Sequence, residues 1–399
     1  MTEHRALENI TVIDMTRVVA GPFCGAMLGD LGATVIKVEI PGRGDDSRAY
    51  GPYVNGESLY YSNLNRNKYG ITLNLKTEEG KKILKDLVKK ADILIENFRP
   101  GVMERLGLGY EELCKINERL IYGAVSGFGS YGPYKDRPGY DIIAQAMGGL
   151  MSLTGQEGNP PTRVGSAIGD LLGGLNLTIG VTAALNARNI TGKGQKIDIS
   201  LVDCVVASLE QAVQRFEVSG EVPERHGNMY ESIAPYDMYH TKDGYVVIGC
   251  GNQKMFEKFC NEILQTPELI IDKRFLTVPL RVKNNKEMKQ YIENWTETLT
   301  VNEVVQRLLD SGIPAGPIYD LSDIVKDEHI ANAREMIVHT KHPVMGDIVL
   351  NGNPIKMSDT RVDIHKASPT LGEDTENILT QYLNMEKEQI TELREMGVI

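Results

Sequence analysis

The first half of the chain alternates short apolar runs with segments that have the pattern of helices. The apolar runs have the length of buried strands and are ITVIDM (10–15), ATVIKVE (33–39), DILIENF (92–98) and LIYGAVSGFG (120–129). Between them lie a small-residue helix pattern at 20–32 and an amphipathic one at 76–91, for which Thr77 is a candidate N-cap. Strands that alternate with helices form parallel sheets covered on both faces. The pattern therefore predicts an α/β fold: a large domain with a doubly wound parallel sheet, whose ligand-binding loops follow the strands.

The pattern changes after a polar stretch at 219–232, which has the composition of a linker. Residues 234–252 predict a β-hairpin with Asp243-Gly244 at its turn. Further on, Thr300 and Glu303 fit the capping box of a helix. These signals predict a second, smaller α+β domain. The predicted boundaries are 1–218 for the first part of the large domain, 219–232 for the linker, 233–325 for the small domain and 326–399 for a C-terminal return to the large domain.

The composition narrows the class of protein. The chain has 399 residues, 41% of them hydrophobic and 24% charged, which is typical of a globular protein with a large core. Its net charge of −11 argues against nucleic acid as the main partner. The five cysteines and seven histidines form no C-x-x-C or H-x-x-x-H motif, so we expect no metal site. The first residues lack an apolar signal core and no apolar run reaches about 18 residues, so we expect a cytoplasmic protein outside the membrane.

Residues 160–188 carry the strongest chemical signal. They form a long, glycine- and alanine-rich helical pattern in which Asp170 is the one acid, and no charge follows until Arg188. The positive end of the helix dipole favours the ionised form of a carboxylate at this place, and the neighbouring glycines leave room for a ligand. Asp170 is therefore a candidate carboxylate nucleophile. An aspartate that merely caps the helix fits this segment equally well.

A glycine motif in the next loop points to a different chemistry, but its surroundings do not fit. Gly127, Gly129 and Gly132 match the G-x-G-x-x-G pattern of dinucleotide-binding folds. A helix has to begin within that motif, whereas Pro133 and Pro138 predict a loop. No strand ending in an acid follows about 20 residues later, as the motif requires. We therefore expect no nicotinamide-dependent dehydrogenase.

Taken together, the motifs resemble the class III CoA-transferases, the formyl-CoA transferase and carnitine CoA-transferase group. The resemblance runs from about residue 8 to the end of the chain. It is carried by RVVAGPFCGAMLGDLGATVIKVE (17–39), ENFRPGVMERLG (96–107), YGPYKDRPGYD (131–141), the Gly169-Asp170 helix, GKGQKIDISLVD (192–203) and APYDMYHTKDGYVVIGCGN (234–252). Within the group the chain looks closest to the oxalate CoA-transferases, on residues 44–68 and 163–174.

The resemblance implies an activity and its central residues. CoA would pass from a short acyl-CoA (formyl, acetyl or succinyl) to a small carboxylic acid, with oxalate as the first candidate. Asp170 would carry the reaction through an aspartyl anhydride and an aspartyl-CoA thioester, with CoA or acyl-CoA as substrate and no permanently bound cofactor. Tyr140 would hydrogen-bond the substrate, and a loop would cover the intermediates, formed by Gly249, Cys250, Gly251 and Asn252.

The resemblance also implies a CoA site and an assembly. The residues that would contact CoA are Val18, Val19, Ala20, Leu73, Lys76, Asn97, Phe98 and Arg105. As single residues, the two cations fit a solvated surface as well, and the phenylalanine fits plain core packing. Two positions depart from the formyl-CoA enzymes: Val19 stands for a glutamine, and Ile40 for an arginine that Arg43 is the nearest candidate to replace. The family further implies an interlocked homodimer.

Three other functions compete with this interpretation. The chain could transfer CoA to another acid, such as carnitine, a 2-hydroxy acid or a dicarboxylate. An α-methylacyl-CoA racemase shares the fold, but racemases carry histidine where this chain has Tyr140, and tyrosine is a poor base at neutral pH. A non-catalytic acyl-CoA binder would have no use for Asp170 among glycines.

Overall fold

The computed structural model describes residues 4–399, which divide into two compact units. Unit 1 contains the residues up to 150 together with 163–213 and 327–399, and unit 2 contains 151–162 and 214–326. Unit 1 is therefore built from both ends of the chain. The domain boundaries drawn from the sequence, at 218, 232 and 325, stay a prediction.

Thirteen strands are found in residues 4–399. They are β1 Thr11–Asp14, β2 Thr34–Glu39, β3 Tyr53–Val54, β4 Glu57–Ser58, β5 Lys68–Thr72, β6 Ile93–Glu96, β7 Ile121–Ser126, β8 Lys196–Ser200, β9 Tyr236–His240, β10 Tyr245–Gly249, β11 Ala315–Pro317, β12 Ile337–His342 and β13 Gly346–Asn351.

Eighteen α-helices are found in residues 4–399, and several of them begin at a side-chain cap. They are α1 Ala20–Asp30, α2 Leu59–Leu64, α3 Glu78–Val88, α4 Val102–Arg105, α5 Tyr110–Ile116, α6 Asp141–Met147, α7 Leu150–Leu153, α8 Ile168–Thr191, α9 Leu201–Ala207, α10 Ala212–Ser219, α11 Gln253–Lys258, α12 Glu268–Ile271, α13 Val278–Lys283, α14 Asn285–Thr296, α15 Val301–Asp310, α16 Leu321–Ile324, α17 Thr375–Leu383 and α18 Lys387–Glu395. Short 3₁₀ or π segments occupy Asp46–Ala49, Phe259–Leu264 and Glu328–Ala333. The predicted caps are confirmed: Thr77 accepts from the Gly80 N–H, and Thr300 forms a capping box with Glu303.

The central sheet of unit 1 has six strands in the order β5-β2-β1-β6-β7-β8, and every neighbouring pair is parallel. Buried residues of α1 and α8 pack on one face, and those of α3, α5, α17 and α18 on the other. The predicted doubly wound parallel sheet is therefore confirmed. The strand order reverses between β1 and β6, because the chain leaves β1 toward β2 on one side and resumes with β6 on the other. A crevice at such a switch point is where α/β folds bind ligands.

Two elements differ from the expectations. The edge strand β5 was missed because Lys68 and Gly70 do not have the pattern of a buried strand, yet Lys68 is fully buried beside Asp14. Between 140 and 155 two short helices, α6 and α7, replace a continuous one. They are separated at Gly148 and Gly149, the second of which has a positive φ of 89° that glycine adopts readily.

Helix α8 is apolar along most of its length. Among residues 4–399 it alone has the length and apolar composition of a membrane-spanning helix, and 44% of its apolar window is buried inside the protein. Its buried side chains, including Leu177 and Val181, pack against the central sheet. Since a core helix passes the same test, this is weak evidence for a membrane span.

Unit 2 contains an antiparallel sheet in the order β11-β10-β9. The predicted hairpin is confirmed: β9 pairs with β10, and the Thr241 N–H donates to the Gly244 carbonyl at 3.0 Å across the turn. Helices α11, α14 and α15 contribute to a separate hydrophobic core that includes Tyr239, Phe256 and Ile292. Unit 2 thus has the α+β composition expected of the smaller domain.

The close packing of α8 on α1 gives a stability prediction. A Cβ atom on Gly174 would lie 2.5 Å from the Ala20 carbonyl oxygen, which is backbone of α1 and cannot rotate away. We expect Gly174→Ala to lower the melting temperature, because overpacking costs about 1–3 kcal/mol and outweighs a gain in helix propensity of about 1 kcal/mol. Asn186→Ala, at an exposed position of the same helix, is the control and should not lower it. An unchanged melting temperature for Gly174→Ala, measured by calorimetry, would contradict this packing.

Candidate active site

Asp170 lies in the first turn of α8 and is capped from another helix. The N-cap residue Ala167 offers no side-chain acceptor. Instead, Oδ1 of Asp141, the first residue of α6, accepts from the Gly169 N–H at 2.8 Å and from the Asp170 N–H at 3.4 Å. Asp170 is therefore not the cap of its helix, which leaves its own carboxylate free for another role.

A glutamine fixes the capping carboxylate. The Gln145 amide donates to Asp141 Oδ2 at 2.8 Å, and its Oε1 accepts from the Val164 N–H at 2.9 Å. Gln145 thus ties α6 to the segment that leads into α8. No local pattern predicts these contacts, because Gln145 lies 19 positions from Val164 and Asp141 lies 29 positions from Asp170.

The environment of Asp170 changes its protonation. Burial, and secondarily the charge of Asp141, raise the pKa of Asp170 to about 7. The helix N-terminus favours the ionised form, as expected, but desolvation and a neighbouring carboxylate outweigh that effect on the pKa. A carboxylate with a raised pKa is a stronger base and nucleophile, and near neutral pH a large fraction of it is still ionised.

Seven of the residues singled out from the sequence line one cavity in unit 1. This cavity of about 280 Å³ opens where the strand order reverses, and these residues are Val18, Val19, Ala20, Asn97, Phe98, Tyr140 and Asp170. The first three follow β1, Asn97 and Phe98 follow β6, and Tyr140 precedes α6. We call this space the Asp170 cavity.

A second cavity adjoins the first. It has a volume of about 360 Å³, shares Arg17 and Phe98 with the Asp170 cavity, and contains the three remaining residues of the expected CoA site: Leu73, Lys76 and Arg105. Its other lining is mostly apolar, with Met15, Val38, Leu75, Val102 and Leu106. An apolar slot with cations at its rim suits an adenine ring attached to phosphates. We call it the slot cavity.

Phe98 separates the two cavities, and a buried acid fixes its backbone. Glu96, the last residue of β6, accepts from the Phe98 N–H at 2.7 Å, and the Arg17 guanidinium carbon lies 5.0 Å from the centre of the Phe98 ring. Burial raises the pKa of Glu96 to about 7. Glu96 thus fixes the Phe98 backbone, and Arg17 packs near the ring that lines both cavities.

Arg43 lies beside the Asp170 cavity, where it pairs with the lining residue Asp46, but it is not part of the lining itself. Ile40 lines the slot cavity, as expected for the position where the formyl-CoA enzymes carry arginine. Arg43 is not among the lining residues of either cavity, and its largely exposed guanidinium pairs with Asp46. The structure therefore gives no support to Arg43 as a replacement for the missing arginine.

Sequence reasoning missed a group of cations. Four of them line the Asp170 cavity, and none forms an ion pair with an acid within residues 4–399: Arg17, Arg99, Lys135 and Arg137. The guanidinium of Arg137 lies 3.7 Å from the centre of the Tyr134 ring, which holds it in place. In a chain with a net charge of −11, this is a local positive region suited to anionic ligands. Spacing alone could not reveal it, since the four residues come from three different loops.

The loop Gly249–Asn252 belongs to unit 2, where it follows β10. The Cys250 N–H donates to the Pro235 carbonyl at 2.8 Å, and burial raises the pKa of the Cys250 thiol to about 12. The Asn252 side chain caps α11 by accepting from the Met255 N–H at 3.0 Å. The Gly249 N–H donates to the Pro314 carbonyl at 2.9 Å, so Gly249, Cys250 and the Asn252 side chain all support the local structure of unit 2. Within residues 4–399, no group of three or more His, Cys, Asp or Glu side chains is arranged to hold a metal.

Comparison with known proteins gives the family. Residues 7–375 match CoA-transferase family III. The acetyl-CoA:oxalate CoA-transferase of Acetobacter aceti is 44% identical over 352 residues, which covers 88% of this chain and 89% of that protein. The succinyl-CoA:glutarate CoA-transferase of Mus musculus is 41% identical over 397 residues, 99% of this chain and 90% of that protein. The crystal structure of a CAIB/BAIF family protein from Brucella suis is 38% identical, with a TM-score of 0.83, covering 95% of this chain and 100% of that one. The resemblance drawn from the motifs is thus confirmed: the chain belongs to CoA-transferase family III and is a CoA-transferase.

Proposed function

We propose that this CoA-transferase moves CoA from a short acyl-CoA (formyl, acetyl or succinyl) to a small carboxylic acid, with oxalate as the first candidate. The observation that carries the proposal is the half-buried Asp170 carboxylate in a cavity lined by four unpaired cations, next to a mostly apolar slot with Lys76 and Arg105 in its lining. The oxalate and glutarate CoA-transferases among the relatives support a dianionic acceptor, which these cations would bind. The choice of oxalate rests on the resemblance of residues 44–68 and 163–174 to oxalate enzymes.

The proposed reaction has four steps that each exchange one bond. The Asp170 carboxylate attacks the donor thioester carbonyl, forming a mixed anhydride and releasing CoA thiolate. The thiolate attacks the aspartyl carbonyl, forming an aspartyl-CoA thioester and releasing the donor acid. The acceptor carboxylate then displaces CoA thiolate to give a second anhydride, and the thiolate takes the new acyl group and regenerates Asp170. No proton is gained or lost, and each step is easier than direct exchange.

The surrounding residues would bind CoA and exclude water. In this proposal Leu73 and Phe98 contact the adenine, Lys76 and Arg105 neutralise phosphates, and the Val18–Ala20 loop borders the reacting thioester. Tyr140 would hydrogen-bond the acid, and the Gly249–Asn252 loop would cover the anhydride, because water would hydrolyse it. Val19 cannot supply the hydrogen bond of the glutamine found in formyl-CoA enzymes, so backbone groups of this loop would have to serve instead.

We also propose that the protein is a homodimer of interlocked subunits, as its family implies. Apolar side chains on the helices of unit 1 support this, since Ile179, Ile190 and Val206 are 64%, 82% and 43% exposed in the single chain. Such surface is typical of protein–protein interfaces. The cytoplasmic location stays a prediction.

The acceptor and the nucleophile can be tested together by mass spectrometry. Formyl-, acetyl- and succinyl-CoA are offered with oxalate, carnitine, 2-hydroxy acids, glutarate and methyl-branched acids. We expect oxalyl-CoA from the wild type, and from Asp170→Ala a rate lower by more than about a thousandfold, because the covalent route is lost. Asp203→Ala, which removes an exposed acid from the first turn of the neighbouring helix α9, is the control and should retain transfer.

The other outcomes of this panel are equally informative. Transfer to a different acid alone would keep the mechanism and discard oxalate. Substantial turnover by Asp170→Ala would refute the nucleophile. Exchange of the α-proton in a branched acyl-CoA, without any transfer, would favour a racemase.

The raised pKa of Asp170 predicts the pH profile. The nucleophile has to be ionised, so kcat/KM should fall as the pH drops through about 7, the pKa of Asp170. Asp141→Asn keeps an oxygen that can accept from the Gly169 N–H but removes a negative charge. We therefore expect the acidic limb to move to lower pH, while burial keeps it above the ordinary aspartate range. Asp203→Asn should leave the limb in place. A limb that stays or moves to higher pH in Asp141→Asn would contradict this account.

A further inference from the structure

The loop between β1 and α1 contains a residue in an unfavourable backbone conformation. Val18 has a φ of +67°, in the left-handed region. This region is costly for L-residues, and most of all for β-branched ones, so it persists where the surroundings hold it. Val18 lines the Asp170 cavity together with the next two residues, Val19 and Ala20. The loop is therefore strained at the place where it borders the reacting group.

Three buried side chains hold the loop: Asp14 and Lys37 from the sheet, and Asp45 from the turn after β2. Asp14 Oδ1, at the end of β1, accepts from the Thr16 N–H at 2.9 Å. The Lys37 ammonium, from β2, donates to the Thr16 carbonyl and to Asp45 Oδ2, the latter at 3.0 Å. Asp45 in turn accepts from the Val18 N–H, at 3.1 Å to Oδ1. Although burial alone would raise it, the charge of Lys37 and the backbone donors hold the pKa of Asp45 at about 2, so this acceptor stays ionised.

The remaining contact comes from Asn97, directly after β6. Its Oδ1 accepts from the Arg17 N–H at 2.7 Å, and its Nδ2 donates to the Arg17 carbonyl, also at 2.7 Å. The side-chain amide thus pairs with the backbone of the loop as a neighbouring strand would. Both polar atoms of Asn97 are engaged in this way, although the residue lines the Asp170 cavity.

We propose that Asn97 is a positioning residue: its side-chain amide holds the strained Arg17-Val18 turn, which sets the place of Val18–Ala20 beside Asp170, and this amide does not contact CoA. This replaces the CoA contact that the family resemblance implied for the side chain of Asn97. The inference rests on the proposed transfer through Asp170. It adds that, at the switch point, a residue after β6 fixes the conformation of the loop after β1 through hydrogen bonds.

Steady-state kinetics with acetyl-CoA and the acid accepted in the panel separate the two roles. For Asn97→Ala we expect kcat to fall by at least about tenfold, because a misplaced site loses rate at saturation, while KM for acetyl-CoA changes by less than about threefold. Asn97→Asp keeps the hydrogen-bond acceptor and loses the donor, so its kcat should lie between that of the wild type and that of Asn97→Ala. Arg105→Ala is the matched comparison and should show the reverse, a raised KM with kcat nearly unchanged. A raised KM with unchanged kcat in Asn97→Ala would overturn the proposal.

Substitution of Val18 provides a second test, which does not depend on how the effect divides between kcat and KM. Glycine adopts a positive φ without strain, so a Val18→Gly loop depends less on being held. We therefore expect Asn97→Ala to reduce kcat and the melting temperature less in the Val18→Gly background than in the wild type. Equal effects in both backgrounds would mean that the residues act independently and would overturn the proposal.

Asn117→Ala provides the structural control. The Asn117 amide also bonds backbone, donating to the Val88 and Ala91 carbonyls at 2.9 and 2.8 Å, but it lines neither cavity. It should lower the melting temperature and leave kcat unchanged. A loss of kcat in Asn117→Ala would show that any destabilisation slows the enzyme and would remove the argument for Asn97. If Asp170→Ala were active, the proposed function would fail. The coupling of Asn97 and Val18 in melting temperature would still test whether Asn97 holds the Arg17-Val18 turn.

Discussion

The site depends on two ion pairs buried beneath the carboxyl end of β1. Lys68 contacts Asp14 at 2.8 Å and Lys37 contacts Asp45 at 3.0 Å, and all four side chains are almost completely buried. Isolated charges at this depth would be very unfavourable, and removing one partner of a buried pair typically costs about 3–5 kcal/mol. The pairs contribute little net stability but tie β1, β2, β5 and the 45–47 turn into one arrangement. Because Asp14 and Asp45 also accept backbone N–H groups of the 16–18 loop, the same charges fix the edge of the Asp170 cavity.

The second constraint is the burial of the nucleophile itself. A dry cavity protects an anhydride from water but raises the pKa of the carboxylate that has to form it. Asp141 adds to that rise while its oxygen supplies the cap that α8 lacks. The positive region around the cavity attracts anionic substrates, and this attraction offsets their repulsion by Asp170 and Asp141. The arrangement is thus a compromise between a reactive carboxylate, a protected intermediate and an anionic acceptor.

Much of the fold could be predicted because it is encoded locally. The alternation of apolar runs and helices predicted the parallel sheet, Asp243-Gly244 predicted the hairpin, and Thr77 and Thr300 predicted two helix starts. The elements that could not be predicted depend on contacts between residues far apart in the chain. Lys68, for example, gives β5 the pattern of a surface segment, and only its ion pair with Asp14 explains its burial. The same distinction between local and long-range signals holds for the site. Asp170 stood out within its own helix, whereas its cap Asp141, the four loop cations and the clamp by Asn97 depend on contacts between distant segments. The roles of Asp170 and of the CoA-contacting residues stay predictions, while their places in the fold are now known.

If Asp170 is the nucleophile, it becomes covalently attached to CoA during turnover. Incubation with acetyl-CoA without acceptor, followed by rapid acid quench, proteolysis and mass spectrometry, tests it directly. We expect that the peptide containing Asp170 gains the mass of CoA less one water, that hydroxylamine removes this adduct, and that Asp170→Ala forms none. Robust transfer without any such adduct, or an adduct on a different residue, would rule out Asp170 as the nucleophile.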